Sequence, residues 1–173
     1  MSKLHGSVLW LFLSIWGLPI NAEEKGEGPN PASAEILPDP GSIEMADTAK
    51  AGVFSIGVFN CVNKETASGK VNIVCFNVVT LDKYEQYDFT VKKAVRWKPR
   101  LIDNLGIEHK FIALYFLDRR GHQQEEVNLA KGESAWFATE FANGGEKGIT
   151  DARVIYANLS NHPQLRTPVK PME

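Results

Sequence analysis

Hydrophobic positions recur every second residue through most of residues 53–159, the period of a strand with one buried and one wet face. Residues 87–97 show it most clearly. Their odd positions are Tyr, Phe, Val, Lys, Val and Trp, and their even ones Asp, Thr, Lys, Ala and Arg, which predicts one strand across the whole stretch. Residues 53–62 predict another, burying Phe54, Ile56, Val58 and Val62. Residues 71–81 are apolar on both faces, which places that strand centrally in its sheet. Residues 108–117 are also two-faced, with Phe111, Tyr115 and Leu117 on one side and Ile112, Leu114 and Phe116 on the other. Residues 149–159 close the set. Residues 134–142 read as a strand, with a short helix as the alternative because Phe137 and Phe141 stand at helical spacing.

Turn chemistry separates these runs. Asp118-Arg119-Arg120-Gly121 suits a type I turn followed by a left-handed glycine, and Ser68-Gly69 and Lys131-Gly132 mark two further reversals. Short strands between such turns, with no long helix, predict an all-β fold. The expected architecture is an antiparallel immunoglobulin-like β-sandwich of about seven strands, with a small closed β-barrel as the alternative. Two apolar faces on the central strands require two packed layers, since an open sheet would leave one of them in water.

Both ends of the chain read differently. Lys3 precedes an uncharged apolar run over residues 7–20 that ends at Ile20-Asn21-Ala22, the layout of a cleavable signal peptide over residues 1–22. The run falls short of the roughly 20 apolar residues of a bilayer span, and Pro19 lies near its end. Residues 23–50 hold Pro29, Pro31, Pro38 and Pro40 and no aromatic residue, so they predict a flexible linker. Every aromatic beyond Ala22 lies between Phe54 and Tyr156, which bounds a β-sandwich domain at residues 51–160. Pro163, Pro168 and Pro171 make residues 161–173 an irregular tail.

Within residues 95–159, Leu114-Tyr115-Phe116-Leu117-Asp118, then Gly121, then Lys131-Gly132-Glu133-Ser134 resemble the FxLYD-type immunoglobulin-like domains of secreted bacterial proteins. The resemblance implies a non-catalytic accessory or binding module.

Charge narrows the class of partner. The chain carries 19 Lys+Arg against 21 Asp+Glu, a balance that lacks the basic footprint of a nucleic-acid binder. The densest cationic run is Lys92, Arg96, Lys98 and Arg100, which strand alternation would set in one row as a surface for a protein, an anionic glycan or a lipid head group. The same row also suits an ordinary solvated face whose cations discourage edge pairing. Catalytic constellations are missing from the sequence: there is no Gly-x-Ser-x-Gly elbow and no phosphate-cradling glycine loop, and adjacent Glu125 and Glu126 point to opposite strand faces. His109, His122 and His162 show no metal-ligand spacing, and counting out from the turn sets His122, not His109, opposite Asp118. No cofactor is expected. Asn158-Leu159-Ser160 fits a glycosylation sequon, relevant only in a eukaryotic source.

The expected protein is therefore an exported, periplasmic or extracellular, non-enzymatic binding module. The alternatives are a small secreted hydrolase assembled only in three dimensions, and a ligand-carrying barrel. Export would put Cys61 and Cys75, the two cysteines of the chain, in an oxidising compartment, where strands flanking the Ser68-Gly69 turn favour a disulfide. The intact exported protein should then weigh two hydrogens less before reduction than after it; a pair of free thiols in the non-reduced protein would remove the bridge.

Overall fold

A computed structural model describes residues 37–143 and 148–171, so the expected signal peptide and the first part of the linker lie outside the described residues. The strands are β1 (Asp47–Ala51), β2 (Phe54–Glu65), β3 (Val71–Leu81), β4 (Gln86–Thr90), β5 (Pro99–Asp103), β6 (Glu108–Leu117), β7 (Gln123–Gln124), β8 (Glu126–Ala130), β9 (Ser134–Ala142), β10 (Asp151–Tyr156) and β11 (Gln164–Lys170). A short helix α1 (Val91–Ala94) and a 3-10 turn (Val95–Trp97) lie between β4 and β5.

The fold is mostly β, and its sheet closes on itself. Strands run in the order β2-β11-β10-β5-β6-β9-β3, and β3 pairs back onto β2 to complete a seven-strand barrel. Neighbours are antiparallel except β11 and β2, which run parallel over Val169–Cys61 and Lys170–Val62. The barrel, given above as the alternative, is thus the observed closure in place of the open antiparallel sandwich. Inward side chains meet those of the opposite wall in either architecture, so residue alternation alone does not separate the two.

The seam between β2 and β11 is splayed, and β1 fills it. β1 pairs with β2 over Phe54 to Val58, while β11 takes the same edge of β2 from Cys61 onward. Asp47 Oδ2 accepts the Arg166 backbone N–H at 3.0 Å, tying β1 to β11. Adjacent N–H groups of a strand point to opposite edges, and Val169 N–H donates to Thr150 O on the β10 side. Position 168 therefore aims at the splayed seam, where proline lacks no hydrogen bond. This corrects the expected irregular tail: Leu165, Thr167 and Val169 are buried and alternate with exposed neighbours, a strand pattern that the three prolines hid. The linker is corrected likewise. Residues 37–46 lie against the barrel, residues 47–51 form β1, and only its earlier part is outside the described residues.

Two bulges decide which residues face inward. β2 shifts register between Val58 and Asn60, so Phe54, Ile56 and Val58 point in before it and Cys61 after it. Val62 therefore points out, against the expectation of burial on the Phe54 face. β6 shifts between Phe111 and Ala113. Phe111 then shares the interior with Leu114 and Phe116, Tyr115 and Leu117 face out, and Ile112 is 47% exposed. One extra residue inverts the parity of everything beyond it.

The expected strand over residues 87–97 ends after four of its positions. Thr90 caps α1 by accepting the Lys93 N–H, and the residues then buried are Ala94 and Trp97, at helical spacing. Lys98 takes a left-handed conformation at φ 50° before Pro99 begins β5. The remaining ribbon of β4 and β8 sends Phe89 and Leu129 into the core beside Trp97, closing one barrel end. Cys61 and Cys75 are paired residues of β2 and β3 and form a buried disulfide. Closing a loop of that length stabilises by about 3 kcal/mol in the chain-entropy picture.

Outside the barrel, Val74, Val78, Leu117, Trp136 and Ala138 make a second apolar cluster on the β3–β9–β6 wall. Residues 37–46 run across it as a strap. Leu37, Ile43 and Met45 pack there, and Trp136 Nε1 donates to Pro38 O at 2.9 Å. Each strap side chain is only partly buried, so each contributes less than the roughly 1.5–3 kcal/mol of a fully buried large residue. Gly57 is the contact point: a Cβ there would stand 2.7 Å from Met45 Cγ. Gly57→Val should lift Met45, raise the accessibility of Trp136 to a neutral quencher such as acrylamide, and cost about 1–3 kcal/mol of unfolding free energy. Unchanged quenching and melting would show that the strap does not rest on Gly57.

Candidate functional site

The barrel end away from the β4–β8 ribbon gathers the β2–β3 turn, the β5–β6 turn, the end of β9 and the end of β11. Strand registers bring them together: Glu65 pairs with Val71, Ile102 with Glu108, both Asn72 and Lys110 with Ala142, and Lys170 with Val62. The β5–β6 turn is held from within. Asp103 Oδ1 accepts the backbone N–H of Leu105 at 2.8 Å and of Ile107 at 2.9 Å, and its Oδ2 stands 3.1 Å from His109 Nε2. Both side chains of this pair are almost fully buried. Asp103 N–H donates to Ile107 O, and Gly106 turns the chain at φ +81°.

Burial alone would raise the Asp103 pKa. The Ile107 N–H, the His109 ring and the Leu105 N–H outweigh it and hold the carboxyl below its ordinary value. The carboxylate is thus spent on fixing a turn. That turn presents Leu105, 76% exposed, and Ile107, 54% exposed, to solvent. A turn tip is normally polar, so two large aliphatic residues flanking its glycine mark it out.

Cations surround this end. Lys64, Lys70, Lys110 and Lys170 are all exposed, and none forms an ion pair among the described residues. Glu108 beside the tip is neutralised by Arg100, whose Nε donates to Glu108 Oε1 at 2.7 Å. This hydrogen bond, with the attraction between the charges, raises the Arg100 pKa and lowers that of Glu108. The exposed carboxylates left here among the described residues are Glu65 and Asp151.

The basic row expected at Lys92, Arg96, Lys98 and Arg100 is not a row on one strand. Lys92 lies on α1, Arg96 on the 3-10 turn, Lys98 at the left-handed cap and Arg100 on β5 in its pair with Glu108. All four are exposed, but the helical turn removes the alternation that would align them. His122 stands opposite Asp118 as counted, with its Nδ1 3.1 Å from Asp118 Oδ2 and its backbone O accepting the Asp118 N–H. Asn158 is exposed, and its Nδ2 donates to Arg96 O. Among the described residues no group of three His, Cys, Asp or Glu is placed to hold a metal ion, and no helix is long and apolar enough to cross a membrane.

The lumen is packed. Phe54, Phe89, Trp97, Phe116, Phe137 and Tyr156 meet in edge-on and tilted ring contacts 5.3 to 6.4 Å apart. Polar side chains share it: Asn77 Nδ2 donates to Cys75 O at 2.7 Å and to Thr139 Oγ1 at 3.3 Å, and burial pushes the Tyr156 phenol pKa up. On the outer wall, burial and then Glu140 push the Tyr115 phenol up to about 12. An open groove of about 700 Å³ runs between the strap at Asp39 and Pro40 and the edges of β8 and β9, with Asp118, Glu126 and Glu133 among its lining.

The tip was missed in the sequence because residues 101–107 fall between the runs whose alternation predicts strands. The available signal was the aliphatic residue on each side of Gly106. Asp103→Ala should leave the Leu105 and Ile107 N–H groups and the His109 ring without their acceptor, costing about 1–3 kcal/mol for each donor left buried. Because the folded-state pKa of Asp103 is depressed, its contribution is full above the unfolded value, about 3.9, and is lost as pH falls through the folded value. The stability gap between wild type and variant should therefore narrow in acid; a gap constant down to strong acid would remove this assignment.

No protein-family profile matches the chain, and no curated protein is similar to it in sequence. Among solved structures, it is similar to an uncharacterized β-sandwich protein of Clostridium difficile 630, with a TM-score of 0.45 and 10% identity over 74% of this chain and 93% of that one.

Proposed function

We propose that this protein is an exported, non-catalytic binding module that recognises an anionic component of the cell envelope through its outer surface. The packed lumen is the observation that carries this reading. Its aromatic rings occupy the space in which a carrier barrel would hold a ligand, and so favour the outside of the barrel as the place of recognition. The resemblance of residues 95–159 to FxLYD-type immunoglobulin-like domains of secreted bacterial proteins points the same way.

The hydrolase alternative has less support. A general base needs to reach its substrate, whereas His109 is buried and held against Asp103. Exposed lysines without an ion-pair partner among the described residues favour an anionic target: Lys64, Lys70, Lys110 and Lys170 at the end that carries Leu105 and Ile107, and Lys83, Lys92 and Lys98 at the other. The row at Lys92, Arg96, Lys98 and Arg100 adds less than expected, since Arg100 is already paired.

The processed protein should be retained on isolated envelope preparations and released as ionic strength rises, as screened surface attraction requires. Two results would overturn the reading: no retention at low salt, or turnover of an ester, peptide or glycoside substrate that disappears in His109→Asn.

A further inference from the structure

We infer that the barrel end carrying Leu105 and Ile107 docks onto an anionic phospholipid surface. The inference rests on the anionic-envelope reading above and names the surface and its target. Four features meet at this end. First, the tip exposes two large aliphatic side chains, one on each side of Gly106. Second, the turn is held in place: Asp103 pins both aliphatic residues through their own N–H groups and is pinned in turn by His109. Third, Lys64, Lys70, Lys110 and Lys170 stand at the same end, exposed and without a carboxylate partner among the described residues. Fourth, exposed Glu108, next to Ile107 in the chain, is neutralised by Arg100.

The shape and chemistry favour lipid over a protein partner. A convex turn with two aliphatic residues offers little of the flat, aromatic-centred area that protein contacts use. A fluid bilayer conforms to such a tip without a complementary pocket. Lysine suits it too, as a compact charge on a flexible stem that needs no fixed fork geometry. Aliphatic insertion combined with attraction of lysines to anionic head groups gives binding that is reversible and sensitive to lipid composition. Leu105 and Ile107 would enter the boundary of head groups and acyl chains, with the lysines lying over the phosphates.

The test is sedimentation of the processed protein with phosphatidylcholine vesicles, with and without phosphatidylglycerol. Wild type should bind only the anionic vesicles, and added salt should weaken binding. Leu105→Ser with Ile107→Ser should lower the partition at least tenfold while keeping the wild-type melting temperature, since both side chains are already exposed. Replacing Lys64, Lys70, Lys110 and Lys170 by Glu should abolish the preference for phosphatidylglycerol. Ile107→Trp supplies a second readout, a blue shift of its emission when anionic vesicles are added. No vesicle binding by wild type, or equal binding by the double serine variant, overturns the inference. If the protein is retained on envelope preparations but ignores protein-free vesicles, the lipid assignment falls and the envelope reading stands. If it binds neither, both fall.

Discussion

The fold depends on the edge of β2 that faces away from β3. That edge takes β1 over its first half and β11 over its second, and the change of partner falls at the bulge between Val58 and Asn60. An unbent strand would keep one partner along its length and leave the barrel open on that side. Bending allows β11 to close the barrel through a short parallel pairing while β1 fills the splayed part. The small inward residues Ala49 and Ala51 suit a wedge in that gap. The Cys61–Cys75 bridge ties β2 to β3 just beyond the bulge, so the two strands that join the ends of the sheet are also linked covalently.

The walls of the barrel have different exteriors. On β5, β10 and β11 the outward positions are charged or polar for the most part, with Arg100, Arg153, Gln164, Arg166 and Lys170 among them, and they face water. On β3, β9 and β6 the outward positions include Val78, Trp136 and Leu117, which need cover. The strap supplies it and is continuous with β1. Cover for the outer face and closure of the seam thus come from one contiguous stretch, residues 37–51. A segment whose prolines and missing aromatics suggest a linker acquires structure because the barrel offers it an apolar wall and an unpaired strand edge.

The β5–β6 turn shows a different use of burial. A carboxylate and an imidazole are withdrawn from water, a costly arrangement unless their hydrogen bonds are satisfied. Here the carboxylate is satisfied by the turn itself and by His109, so the hydrogen-bonded pair specifies a loop shape and carries no exposed reactive group. Its product is an exposed aliphatic tip at the barrel end that also carries Lys64, Lys70, Lys110 and Lys170, with the turn held by its own hydrogen bonds.

The sequence by itself determined that the chain is mostly strand, that β3, β6 and β9 have the bounds that their alternation and turns predict, and that the two cysteines stand on neighbouring strands. These features are local: a period of two, a glycine at a turn, and a hairpin short enough to fix its own register. Tertiary structure alone decided the rest. The parity inversions at Phe59 and Ile112 arise from bulges, which depend on what the neighbouring strands present. The helical turn after Thr90 replaces an alternating pattern, and coiling sets Ala94 on the buried face with Trp97. β11 is a strand in spite of Pro168 because the proline faces a seam that asks for no hydrogen bond there. The candidate surface is the clearest case. Leu105, Ile107 and the four lysines lie on separate stretches of chain, and only barrel closure brings those stretches to one end.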